Sequence, residues 1–90
     1  MPTLGEFIKL ARKRFGAEHH NLILSVPGEA AQFTPCLLRN GPAEVPYLAV
    51  LPALRMDQVL QPEVLQSLCR LLGIPVEDID PEFGLLLPDA

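Results

Sequence analysis

Two amphipathic helical segments, one near each end of the chain, enclose a middle stretch of strand-like composition. The first opens on the capping box "TLGE" and is followed by Gly16, while the second opens on Pro62 and is followed by Gly73. An amphipathic helix must bury its apolar stripe against another layer, so the middle stretch has to supply that layer. The two stripes are Leu4, Phe7, Ile8, Ala11 and Phe15, and Val64, Leu65, Leu68, Leu71 and Leu72.

The middle stretch has the composition of three strands separated by turn sequences. We expect strands at about 19–26, 31–39 and 45–51, with "VPGE" and "NGP" forming the two reversals. Pro35 cannot donate to a ladder, so the second strand is expected to be an edge strand or to contain a bulge. The pattern therefore predicts an antiparallel meander.

Together these elements predict an α+β fold: a two-layer sandwich in the order helix, three antiparallel strands, helix. The stretch "PVEDIDPEFG" is compatible with one short extra helical turn near the C-terminus. We expect one domain over residues 1–83, followed by an apolar tail over residues 84–90.

The alternation of the first strand predicts two faces with different neighbours. The face that we expect to pack on the helices carries His20, Leu22, Leu24 and Val26. The face that we expect to be open carries His19, Asn21, Ile23 and Ser25. Because the two histidines then point to opposite sides, they cannot share one metal ion, and we predict no metal site. The sequence has no Gly-rich phosphate loop, and we predict no small-molecule cofactor.

Charge and apolar length restrict the classes of partner. The net charge of −4 at pH 7 disfavours RNA without excluding it, because four basic residues cluster in one helix: Lys9, Arg12, Lys13 and Arg14. The longest apolar stretch, "VPYLAVLPAL", is too short and too interrupted by proline to cross a bilayer. Two widely spaced cysteines and an N-terminus without an apolar leader indicate free, buried thiols in a cytoplasmic protein.

The element order and three short stretches resemble HicA-type toxins, small RNA-cutting partners of toxin–antitoxin pairs with a fold like that of double-stranded-RNA-binding domains. The stretches are "AEHH", "VLP" and "LQPEVLQSLCRLLGIPVEDI". The resemblance implies that His19 is the catalytic general acid and base in RNA cleavage through the 2′-hydroxyl. It also implies that the phosphate contacts are Lys9, Arg12 and Lys13.

Two functions therefore remain open, and with them whether the chain is an enzyme. The first is a non-catalytic protein-binding or assembly module, with a protein partner or self-association, which the apolar, acidic and proline-rich composition favours. The second is a HicA-like RNA-cleaving toxin or a degenerate relative. In that family a glycine and a serine precede the histidines, whereas this chain has Ala17 and Glu18.

Overall fold

The computed structural model describes residues 1–82, so the apolar tail expected at 84–90 lies outside the described residues. The elements in chain order are α1 (Leu4–Phe15), β1 (Glu18–Leu24), β2 (Gln32–Asn40), a 3-10 turn (Pro42–Glu44), β3 (Pro46–Val50), α2 (Pro62–Leu72) and α3 (Val76–Ile79). The α+β fold class is confirmed, including the short extra helical turn, which is α3.

Local sequence signals determine where the two main helices begin and end. The Thr3 hydroxyl accepts from the amide of Glu6 at 3.1 Å, and the Glu6 carboxylate accepts from the amide of Thr3 at 3.3 Å. Gly16 and Gly73 adopt left-handed conformations, with φ of 70° and 65°. These are the capping arrangements that the sequence predicts.

The three strands form one antiparallel sheet in the order β1-β2-β3. Leu37 of β2 lies opposite Ala49 of β3, and both are fully buried beneath the helices. In α2, Leu71 is half exposed, so the prediction that it belongs to the buried stripe was wrong. Cys69 is buried instead. The main buried residues of the core are Leu4, Phe7, Ile8, Ala11, Leu37, Ala49, Leu51, Leu60, Leu65, Leu68, Cys69 and Leu72.

The predicted faces of β1 were wrong. His19 lies opposite the buried Leu37, and directly opposed residues of antiparallel strands point to the same side. His19 is therefore on the helix-side face. The set that we expected to be buried, His20, Leu22, Leu24 and Val26, is exposed. Alternation alone could not choose the face, because the helices cover β2 and β3 and leave all seven residues of β1 exposed.

The expectation for Pro35 was also wrong, because β2 is the central strand and pairs with β1 without a bulge. The carbonyl of Pro35 accepts from the amide of Leu51 at 3.0 Å, just beyond the last residue of β3. The backbone polar groups of residue 35 therefore point toward the end of β3 and away from β1. A proline is tolerated there because no β1 residue needs its missing amide.

Arg39 in β2 forms hydrogen bonds with the C-terminal ends of both main helices. Its Nε donates to the carbonyl of Phe15 at 3.2 Å, and its Nη1 donates to the carbonyls of Leu72 and Gly73 at 2.9 and 3.0 Å. The guanidinium carbon lies 5.5 Å and 5.7 Å from the ring centroids of Phe15 and Tyr47. The last carbonyls of a helix lack internal partners and carry partial negative charge, so a cation placed there stabilises both ends.

We expect Arg39→Ala to lower the free energy of unfolding by about 2–4 kcal/mol, because it leaves several helix-end carbonyls without a donor. Arg39→Lys should recover less than half of that loss, since an ammonium cannot reproduce the planar fork. The control is Arg55→Ala, whose side chain is 81% exposed and which should change stability by less than about 0.5 kcal/mol. Equal effects of Arg39→Ala and Arg55→Ala in chemical denaturation would contradict this role.

Gly73 and Gly16 offer a matched pair of helix-ending glycines. A Cβ at Gly73 would lie 2.5 Å from Cζ of Tyr47, whereas a Cβ at Gly16 would meet no atom within 4 Å. We expect Gly16→Ala to cost about 1 kcal/mol through backbone strain alone. Gly73→Ala should cost about 2–4 kcal/mol, because the Tyr47 ring must also move. Thermal unfolding of the two variants measures the difference, and equal losses would show that the contact with Tyr47 is unimportant.

Candidate functional site

A basic groove runs along the exposed side of α1. Three basic residues line a surface cavity of about 510 Å³: Lys9, Arg12 and Lys13. Lys9 is about one helical turn from Arg12 and Lys13, which are adjacent in sequence. Gly5, Ile8 and Ala17 complete the lining, and Ala17 is the residue that precedes β1. The structure therefore brings together the three basic residues that the resemblance implies as phosphate contacts.

His19 is exposed on β1, two residues beyond Ala17, and does not line the basic groove. Its position opposite Leu37 places it on the same side of the sheet as α1.

His20 points to the opposite face of the sheet, where it lies opposite Cys36. Its Nε2 is 3.0 Å from a carboxylate oxygen of Glu18, and both side chains are substantially exposed. Such an exposed contact between near neighbours contributes little to stability. The adjacent histidines therefore have different surroundings and do not form one site.

The described residues offer no cluster for a metal ion, and Cys69 is a buried thiol. Among residues 1–82, no three His, Cys, Asp or Glu side chains lie close enough together to hold a metal ion. Cys36 and Cys69 are free and buried, as the sequence predicts. Burial raises the pKa of the Cys69 thiol to about 11, with a further contribution from the Glu77 carboxylate. Cys69 is therefore a protonated, unreactive thiol at neutral pH.

The second candidate site is the outer end of the β1–β2 hairpin, where apolar side chains are exposed on both faces. Ile23 and Phe33 lie opposite each other on the helix-side face and are 64% and 65% exposed. Leu22 and Leu24 are exposed on the other face, and Val26 follows in the turn. We call this set the hairpin surface: Leu22, Ile23, Leu24, Val26 and Phe33.

Sequence reasoning missed the hairpin surface because it assigned one face of β1 to the core. A signal was nevertheless present, since Leu22, Ile23 and Leu24 are consecutive apolar residues. A strand with one solvated face alternates apolar and polar residues, whereas consecutive apolar residues indicate that both faces meet protein. Among residues 1–82, neither face of the outer hairpin meets a helix.

In the part of the chain that the structure describes, none of the helices has both the length and the apolar character needed to traverse a bilayer. The chain matches no protein-family model, no curated protein and no solved structure.

Proposed function

We propose that this chain is a non-catalytic protein-binding or assembly module and that the hairpin surface is its main contact area. The observation that carries the proposal is the exposure of five large apolar side chains at one end of the sheet, on both of its faces. Contiguous apolar surface of this kind marks interaction sites more often than it marks free monomer surface.

The free energy gained by covering the hairpin surface indicates what kind of contact a stable complex needs. Each of these side chains is about half exposed, so covering the set contributes about 5 kcal/mol. Association costs about 4 kcal/mol or more in lost freedom of motion. Apolar contact alone therefore gives weak binding, and a stable complex needs backbone or polar contacts as well.

The same proposal places the module in the cytoplasm. Cys36 and Cys69 are both buried and unpaired. Free thiols are typical of reducing compartments, in which disulfides rarely persist.

We expect the double variant Ile23→Asp, Phe33→Asp to lose the protein contacts that the wild-type chain makes. The two carboxylates would be desolvated at the contact, while the exposed positions leave the core intact. Chemical cross-linking in cell extract, followed by identification of the cross-linked species, provides the measurement. The species can be a second copy of the chain or another protein.

The matched control is Val45→Asp, because Val45 is also 64% exposed but lies at the other end of the sheet, next to β3. The control should keep the wild-type cross-links, and circular dichroism should show all variants folded. An unchanged cross-linking pattern in the double variant would overturn the proposal.

The basic groove supports a second candidate function, a HicA-like ribonuclease or a degenerate relative. Lys9, Arg12 and Lys13 line one groove, and His19 is exposed on the same side of the sheet. The basic side chains would hold phosphate groups by charge-assisted contacts. The imidazole would then remove the proton of a 2′-hydroxyl and return a proton to the leaving oxygen.

The neighbouring histidines provide an internal control for this second function. If it is correct, His19→Ala should abolish growth inhibition on expression and RNA cleavage by the purified chain, with a loss of about 100-fold or more. His20→Ala should keep both activities, because His20 is on the opposite face. Equal behaviour of the two variants, or no cleavage by the wild-type chain, would remove the ribonuclease hypothesis.

A further inference from the structure

We propose that β1 pairs in antiparallel fashion with β1 of a second copy of this chain, so that two three-stranded sheets become one continuous sheet. This inference rests on the proposed function and names its partner and mode of contact. The two-fold axis lies midway between the Asn21 residues of the two copies, perpendicular to the sheet. The hairpin surfaces of the two copies then lie on either side of the axis.

The two edges of the sheet differ in how well they are protected from pairing. β3 has five residues and begins with Pro46, which has no amide hydrogen, and Pro52 follows shortly after it. β1 has seven residues, with no proline, no lysine or arginine and no bulge. Native edge strands are normally kept apart by such features. Apart from Glu18 at its first position, β1 carries none of them, and no strand of residues 1–82 pairs with its outer edge.

Pro35 shows which backbone groups of β1 face the free edge. The carbonyl of Pro35 accepts from Leu51, so the polar groups of residue 35 point toward β3. Asn21 lies opposite Pro35 and therefore occupies a non-hydrogen-bonded pair with β2. The amide and carbonyl of Asn21 consequently point to the free edge. Backbone amides and carbonyls alternate in direction from one residue to the next along a strand. Those of His19 and Ile23, two residues away on either side, therefore also point to the free edge.

These outward groups are complementary to a second copy of themselves. With the axis midway between them, the two Asn21 residues exchange both hydrogen bonds, and His19 of each copy exchanges both with Ile23 of the other. The result is about six backbone hydrogen bonds, with every outward donor and acceptor of the three residues paired. A closed two-fold dimer requires self-complementarity of this kind.

Side chains along the paired strands are also compatible with this register. His20 lies beside Leu22 of the other copy, and Glu18 lies beside Leu24, so no like charges are opposed. The two Asn21 amides adjoin at the axis, where each offers a donor and an acceptor. The helices leave β1 uncovered, which provides room on the helix-side face for the second strand.

The experiment measures self-association and amide exchange on the purified full chain. Sedimentation velocity over a concentration series should show a reversible equilibrium between monomer and dimer. Hydrogen exchange by NMR should show that the amides of His19, Asn21 and Ile23 become protected as concentration rises. The amides of His20, Leu22 and Leu24 bond to β2 and should be protected at every concentration.

Asn21→Pro removes an outward donor from each copy without removing a β1–β2 hydrogen bond. We expect it to raise the dissociation constant of the dimer about 30-fold, whereas Asn21→Ala keeps the amide and should stay within about threefold of the wild type. If circular dichroism shows that Asn21→Pro is unfolded, Ile23→Lys replaces it, since a lysine on an edge strand opposes pairing.

A strict monomer at all concentrations would overturn the dimer, as would a dimer that Asn21→Pro and Ile23→Lys leave unchanged. Failure of the dimer can be distinguished from failure of the proposed function. A monomeric chain that still cross-links to another protein through the hairpin surface would keep the binding module and replace the second copy by a different partner. A monomer without such cross-links would remove both.

Discussion

The fold depends on one arginine placed where two helices end. Arg39 reaches from the central strand to the carbonyls of Phe15, Leu72 and Gly73, and it lies between two aromatic rings. Helix ends need donors, and a single guanidinium supplies them for α1 and α2 together. The positions of both helices are thereby tied to β2. The helices cover the buried positions of β2 and β3 and leave the residues of β1 exposed.

The uncovered strand connects the fold to its proposed function. A three-stranded sheet needs a packed face for stability, and here that face is limited to the part beneath the helices. The outer hairpin extends beyond it with Ile23 and Phe33 exposed on one side and Leu22 and Leu24 on the other. In the proposed function, a second polypeptide covers these side chains and pairs with the edge of β1. Pairing of two β1 edges would give hydrogen-bond partners to the outward backbone groups of β1 and would cover part of the hairpin surface.

Sequence reasoning succeeded where the physical cause is local. The caps at Thr3, Gly16 and Gly73 and the number and order of strands follow from neighbouring residues, and all were confirmed. The faces of β1 could not be assigned in this way, because they depend on which strands the helices cover. Pro35 was misread for a similar reason, since the direction of its missing amide depends on pairing with a distant strand. The basic residues of α1 share a groove because their helical spacing places them together.

Among residues 1–82, no helix covers either face of β1 in the monomer. This arrangement is tested most directly by methyl NMR of the dilute chain with a soluble paramagnetic probe, which broadens resonances of exposed side chains. The account predicts strong broadening for Leu22, Ile23 and Leu24 and little for Leu37 and Leu65, which are buried. Protection of either the Ile23 face or the Leu22 and Leu24 face in the monomer would contradict the account.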